Sequence, residues 1–220
     1  MSVLKWGMVI DLDRCTGCGV CQVACRLENN IPPAGGAVSG AGAPDWITLE
    51  RRDNGRSFPE SDDLYLPKPC MHCENPPCVT ACPVGATQKS GQGGIVSQEY
   101  ARCIGCRLCL AACPYGVRRF TRTDPVWPRG MEGTLTPFAS VRPKGVVEKC
   151  TLCAHRLAMY GPAAYTTACA EACPTGAIVF GDVEKLRKGA AVFELLPEKK
   201  TEPQVLYASR RDWARQGSDE

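Results

Sequence analysis

Sixteen cysteines fall into four groups, and the spacing inside those groups leaves the chain little freedom. Cys15, Cys18, Cys21 and Cys25 read C-x2-C-x2-C-x3-C, followed by Arg26. Cys70, Cys73, Cys78 and Cys82 read C-x2-C-x4-C-x3-C, with a Pro76-Pro77 turn in the longer gap and Pro83 after it. Cys103, Cys106, Cys109 and Cys113 read C-x2-C-x2-C-x3-C-P, and Cys150, Cys153, Cys169 and Cys173 read C-x2-C-x15-C-x3-C-P. No cysteine is left over.

The third group has the spacing of bacterial ferredoxin ligation. Three cysteines on a tight loop wrap three corners of a [4Fe-4S] cubane. The cysteine after x3 lies about one helical turn on, roughly 6 Å at 1.5 Å per residue. In two-cluster ferredoxins that residue ligates the other cluster. The proline after it lacks an N–H and turns the chain. Gly17, Gly19 and Gly105 let the backbone approach sulfide where a Cβ would clash. A disulfide framework suits small secreted chains, and this chain is too long and shows no signal peptide. Zinc ribbons use two pairs per metal and have no need of the extra x2-C and x3-C-P elements. Iron–sulfur chemistry accounts for all four groups.

A phrase recurs after the x3 cysteines: Cys82-Pro83-Val84-Gly85-Ala86, Cys113-Pro114-Tyr115-Gly116-Val117 and Cys173-Pro174-Thr175-Gly176-Ala177. Such a repeat argues for duplicated units. Groups two and three are joined by a short connection, and groups one and four are left to pair with each other. The expected fold is α+β, with two bacterial-ferredoxin-like modules, each for two [4Fe-4S] clusters, one inserted in the other, and loop-rich insertions. Residues 1–60 with 145–185 form the outer module and 61–120 the inner one. Residues 121–144 are a connecting or interfacial loop, and 186–220 a C-terminal extension.

Local patterns add detail. Trp6 to Leu12 reads as a strand, Gln22 to Asn30 as a helix, and Ile31 to Pro44 as a Gly-, Ala- and Pro-rich loop. Trp46 to Arg51 alternates like a half-buried strand, and Leu64 to Pro67 leads into group two. Lys89 to Gly94 is a glycine-rich turn before a strand at Ile95 to Ser97. Prolines at 125, 128, 137 and 143 leave residues 120–147 with few regular signals. A helix over Val183 to Lys188 and strands over Val192 to Leu196 and Val205 to Tyr207 precede a charged tail, which is expected to lie on a partner or fray.

The hydrophobic fraction of 44% includes the cysteines, so the aliphatic core is thin and bound clusters would also staple the fold. A net charge of +3 makes no case for nucleic acid. No apolar run approaches the roughly 18 residues that span a bilayer, so no direct membrane insertion is expected. Met1 to Ile10 is too short and interrupted for an export signal. The chain is expected to stay in the cytoplasm or to cross a membrane bound to a signal-bearing partner.

The four groups, in this order and spacing, resemble the iron–sulfur subunit of the dimethyl-sulfoxide-reductase superfamily over roughly residues 5–182. Asp124-Pro125-Val126-Trp127-Pro128 and the run from Arg142 to Cys150 resemble the branch found in alternative complex III and menaquinone reductase. That resemblance implies four [4Fe-4S] clusters with crossed ligation. Cys15, Cys18 and Cys21 would share cluster 1 with Cys173. Cys150, Cys153 and Cys169 would share cluster 2 with Cys25. Cys70, Cys73 and Cys78 would share cluster 3 with Cys113, and Cys103, Cys106 and Cys109 would share cluster 4 with Cys82. It also implies a molybdopterin-type large subunit and a polysulfide-reductase-type (NrfD-like) integral membrane subunit as partners. The chain would then be peripheral to the cytoplasmic membrane, on either side.

The implied role is one-electron relay in a respiratory complex, with no catalytic residue on this chain. His72 and His155 are read as spacer or surface residues. Arg102, Arg107 and Lys149 abut ligands; they read first as ordinary solvated residues, and the alternative is that their positive charge raises a cluster's potential. Tyr115 and Trp127 read as packing residues that would also shield clusters. The rival is a free-standing polyferredoxin, a diffusible carrier, which would be more acidic and would not need residues 120–147 or the long C-terminus.

Overall fold

The computed structural model describes residues 4–33, 45–91, 93–189 and 191–215. Among them the elements run β1 (Trp6–Asp11), α1 (Val20–Glu28), β2 (Thr48–Asp53), β3 (Asp63–Lys68), α2 (Pro77–Thr80), β4 (Thr87–Lys89), β5 (Val96–Gln98), α3 (Leu108–Ala111), β6 (Arg119–Phe120), β7 (Val147–Glu148), α4 (Ala154–Ala164), α5 (Ala168–Glu171), β8 (Ile178–Asp182), α6 (Val183–Gly189), β9 (Val192–Phe193), β10 (Val205–Ala208) and α7 (Asp212–Arg215). Most are short because each cysteine loop interrupts the chain.

The main sheet has the order β8-β1-β10-β9. β1 pairs antiparallel with β8, Met8 opposite Phe180, and parallel with β10, Met8 opposite Val205. Side chains on a strand alternate between faces. Met8 and Ile10 enter the main core with Leu12, Leu66, Leu152 and Tyr207, while Val9 joins Val183 and Leu206 under α6. Burying both faces explains why Trp6 to Ile10 is apolar without a break.

Three hairpins surround this sheet: β2 with β3, β4 with β5, and β6 with β7. The strand expected over Trp46 to Arg51 is displaced to Thr48–Asp53. Trp46 and Ile47 are fully buried ahead of it, where the Ile47 carbonyl accepts from Gln22 Nε2 at 3.0 Å. The helix expected over Gln22 to Asn30 begins earlier, at Val20, and Asn29 caps it by donating Nδ2 to the Cys25 carbonyl at 2.9 Å. Residues 120–147 leave and return through β6 and β7, closed by Thr121 N–H to Val146 O at 2.9 Å and Gly145 N–H to Thr121 O at 2.8 Å. Part of the expected loop over Ile31 to Pro44 lies outside the described residues.

The C-terminal region departs most from expectation. β10 is central in the sheet, and Val205, Leu206 and Tyr207 are sealed from solvent. The segment before it crosses the second cysteine loop, with Gln204 N–H donating to Met71 O at 2.8 Å and Asn75 N–H to Thr201 O at 3.1 Å. The tail expected to lie on a partner or fray docks on its own chain as far as Arg215. Arg211 bonds Asp13, and both Arg211 and Trp213 bond Asp62, at 2.7 and 3.2 Å for the latter. Residues 216–220 lie outside the described residues. No helix among the described residues is long and apolar enough to cross a membrane.

Candidate metal centres

The same local geometry recurs in all four cysteine loops. The residue before the second cysteine has a positive φ in each: Gly17 (69°), His72 (44°), Gly105 (68°) and Leu152 (53°). This left-handed step folds the C-x2-C pair back on itself, and glycine takes it without strain. Close packing also selects glycine at two of these positions. A Cβ on Gly17 would sit 2.5 Å from the Tyr65 ring, and one on Gly105 would sit 2.2 Å from the Gly145 carbonyl oxygen.

The recurring Cys-Pro-x-Gly phrase has an equally local cause. Gly85, Gly116 and Gly176 all lie at φ near 60°, and each donates its N–H to the carbonyl of the cysteine three residues earlier at 3.2–3.3 Å. The turn aims further amides at the sulfur, with Ala86 N–H donating to Cys82 Sγ at 3.2 Å. Although burial works against it, N–H groups of Thr87, Val84 and Ala86 bring the Cys82 thiol below its ordinary pKa. At Cys173 the Thr175 hydroxyl and nearby amides do the same. Amides and hydroxyls that favour thiolate are what a metal ligand needs.

These loops bring cysteines together across the chain. Cys15, Cys18, Cys21 and Cys173 line one recess of about 320 Å³, and Cys82, Cys103, Cys106 and Cys109 line another of about 270 Å³. Cys25 on α1 lies among Cys150, Cys153 and Cys169, whose charges add to burial in pushing its thiol up. Burial, with Cys70, Cys78 and Cys113 beside it, pushes Cys73 up to about 12. All sixteen cysteines are free thiols. Four thiolates gathered in a buried space repel one another and need a cationic centre. Among the described residues, no three Cys, His, Asp or Glu side chains converge enough to hold a single ion. The donor set, four thiols brought together from two parts of the chain, fits an iron–sulfur cubane.

The quartets also lie near one another in succession. Cys21 acts on Cys169 and on Cys25, linking the first quartet to the second. Cys70 acts on Cys150, linking the second to the third. Arg118 links the third to the fourth: its Nη2 donates to Cys78 Sγ at 3.2 Å, and its charge also acts on Cys109. Cys18 and Cys106, in the two outer quartets, are exposed.

Several residues stand elsewhere than the sequence suggested. His72 is fully buried, not a surface spacer. Its Nδ1 accepts from Val96 N–H at 3.1 Å, its Nε2 has no hydrogen-bond partner among the described residues, and burial with the charge of Lys149 keeps its pKa well below the ordinary value. His155 bonds Glu28 at 2.6 Å. Lys149 is completely buried, whereas Arg102 and Arg107 are exposed, and Arg107 lies 4.0 Å over the Phe120 ring. Tyr115 is buried beside Cys73 and Cys113 and bonds the Thr201 hydroxyl at 2.5 Å. Trp127 lines a groove together with Val23 and Leu27, exposed residues of α1, rather than a quartet. Reading the sequence missed Arg118; only the parity of the strand after Val117 separates it from the half-buried Arg119. A buried aromatic group was also missed: Trp6, Tyr165 and Phe180 pack at centroid distances of 4.8–5.5 Å. Burial and Cys153, Cys150 and Cys169 beside the Tyr165 hydroxyl push its pKa up.

Comparison with known proteins points to the same cofactor. Families described as 4Fe-4S dicluster domain match residues 14–86 with 102–177, and residues 61–129. The chain is 52% identical to the menaquinone reductase iron-sulfur cluster-binding subunit of Nitratidesulfovibrio vulgaris, over 98% of this chain and 93% of that one. It is 35% identical to the arsenate respiratory reductase iron-sulfur subunit of a Shewanella species, over 93% and 96%. It is also 32% identical to a tetrathionate reductase subunit of Salmonella typhimurium, over 94% and 74%.

Proposed function

The chain belongs to the four-cluster iron–sulfur electron-transfer subunits of the dimethyl-sulfoxide-reductase superfamily, and on that basis we propose which sulfurs hold which cluster and what stands at each end of the relay. It is an electron-transfer subunit of an oxidoreductase complex, carries four [4Fe-4S] clusters and is not the catalytic subunit. Each cluster, when bound, accepts and releases one electron.

Cluster 1 is held by Cys15, Cys18, Cys21 and Cys173, and cluster 2 by Cys150, Cys153, Cys169 and Cys25. Cluster 3 is held by Cys70, Cys73, Cys78 and Cys113, and cluster 4 by Cys103, Cys106, Cys109 and Cys82. What supports this is the crossing itself: the cysteine after x3 in each group lies with three sulfurs from another group. Two ferredoxin-like modules follow, the inner one (61–120) inserted in the outer (1–60 with 145–185). The protein orders the relay 1-2-3-4 by setting neighbouring quartets against each other, and buries the middle two away from water. The exposed Cys18 and Cys106 mark the ends where electrons enter and leave.

One end meets a polysulfide-reductase-type membrane subunit that reacts with quinone, and the other a molybdopterin-type subunit or a related one. The chain is then peripheral to the cytoplasmic membrane through its partners. What supports the relay best is the nearness of each sulfur quartet to the next, with one exposed cysteine, Cys18 or Cys106, in the first and the last. The test is affinity purification of this chain from membranes, followed by addition of a menaquinol analogue under anaerobic conditions. Bleaching of iron–sulfur absorbance, together with a co-purifying integral membrane subunit, is expected. A chain that purifies alone and is reduced by soluble carriers only would establish the diffusible polyferredoxin instead.

A further inference from the structure

Reduction adds one negative charge to a cluster, so a fixed cation at its edge makes reduction easier. Burial alone does the opposite, because it removes the water that would solvate that charge. Two buried cations stand at the inner junctions of the relay. Arg118 is 4% exposed, with Nη2 on Cys78 Sγ and Nη1 held by Thr87 Oγ1 at 3.2 Å and Gln98 Oε1 at 3.1 Å. Lys149 is 0% exposed; its Nζ donates to the carbonyls of Val96 and Cys150, and its charged neighbours include Cys70, Cys78 and Cys150.

No carboxylate pairs with either side chain among the described residues. An unpaired buried charge is strongly unfavourable. The negative partner has to be the sulfur quartets, and Arg118 Nε, buried with no acceptor among the described residues, points to the same conclusion. The junction of the first two quartets is built differently. There Asn29 Nδ2 approaches Cys25 and Cys153 at 3.6 and 4.0 Å, and the Thr167 hydroxyl meets Cys169 at 3.4 Å. Arg156, near Cys153, is neutralised by Glu28 and Glu171. At the far end Arg102 and Arg107 lie in solvent, where charge is screened.

We propose that Arg118 and Lys149 set the redox profile of the relay, making the cluster at Cys70, Cys73, Cys78 and Cys113 the highest in potential of the four. This rests on the ligand sets proposed above. Arg118 bonds this quartet at Cys78, and Lys149 carries its charge near Cys70 and Cys78. Each cation is shared with one neighbour, and the quartet at Cys15, Cys18, Cys21 and Cys173 receives neither. An electron entering from either end therefore falls toward the third position and waits there for the second one that a two-electron substrate requires.

The test is potentiometric titration followed by EPR on the intact complex, for wild type, Arg118→Gln, Arg118→Lys and Lys149→Gln, with iron and sulfide measured on each. Cys70→Ser identifies the signal of the third cluster. That signal is expected to appear first on reduction of the wild type. Arg118→Gln and Lys149→Gln should each lower its reduction equilibrium at least tenfold, which is 59 mV for one electron. Arg118→Lys should restore most of the shift, and the cluster 1 signal should not move. Unchanged midpoints at full iron content would overturn the proposal. So would equal shifts, or equal loss of cluster, in Arg118→Gln and Arg118→Lys, since those mark a structural role. A wild type holding fewer than four clusters would instead sink the ligand sets, a result the iron assay separates from the first.

Discussion

Arg142 and Glu148 form a 2.9 Å ion pair with both side chains almost sealed from solvent, at 4% and 3% exposure. The Glu148 carboxylate also accepts from Trp46 Nε1 at 3.0 Å and Thr121 Oγ1 at 2.8 Å. The guanidinium reaches the carbonyls of Asn29 and Asn30 at the end of α1 and lies 5.0 Å from the Trp46 ring. One pair thus fastens the 121–144 loop, β7, Trp46 and the helix that carries Cys21 and Cys25. Removing one partner leaves an uncompensated buried charge. Arg142→Met should cost about 3–5 kcal/mol, or roughly 6–20 °C in melting temperature for a chain of this size. Glu148→Gln should cost a comparable amount, and melting curves that overlay wild type for both would contradict the pair's role.

Cys15 and Cys173, far apart in the sequence, line one recess. Cys15→Ser and Cys173→Ser should therefore alter the same EPR signal, while Cys25→Ser should alter the signal affected by Cys150→Ser. Ligation within each group would give a different result: Cys15→Ser and Cys25→Ser would then strike the same cluster.

Leu206, on β10 opposite Val9 of β1, is fully buried beside Val9 and Val183. Truncation to alanine removes apolar contact and leaves a cavity, at about 2–5 kcal/mol. The cost should appear as a lower denaturation midpoint with an unchanged EPR spectrum below it, because the residue touches no quartet. Loss of a cluster signal under native conditions would show that this layer does more than support the sheet.

Asp62 accepts from Arg211 and Trp213, and the Arg211 guanidinium first of all holds its carboxyl below the usual range. A lowered folded pKa stabilises the protein above the carboxylate's unfolded value, and the contribution disappears as pH falls through the folded one. Wild type should thus be more stable than Asp62→Asn at neutral pH, with the gap closing below about pH 4. The site is open to solvent, so the gap should be small and shrink in high salt. A difference that grows on acidification would have the wrong sign.

What the sequence made legible is what short-range geometry controls. The spacing of Cys103, Cys106 and Cys109, the turn at Pro83 to Gly85, and the continuous apolar run of β1 each follow from residues a few positions apart. The β4–β5 hairpin was readable from its glycine-rich turn for the same reason. Arg118 was not, because which of two adjacent arginines faces inward depends on register against β7. His72 was not, because its place under Val96 is fixed by a strand that returns later in the chain. Parallel pairing of β10 with β1 has no local signature either. Its residues read only as a short strand, and nothing beside them names the strand they join.

That late strand gives the molecule a timing rule. A ribosome delivers β1 first, yet β1 lacks its central neighbour until residues 205–208 emerge, and Thr201, which covers the second cysteine loop, arrives scarcely sooner. Metal loading into a finished shape therefore belongs to the completed polypeptide. A prematurely stopped product would keep every cysteine and still offer an open sheet edge to proteases, so degradation rather than a half-wired subunit should be its fate.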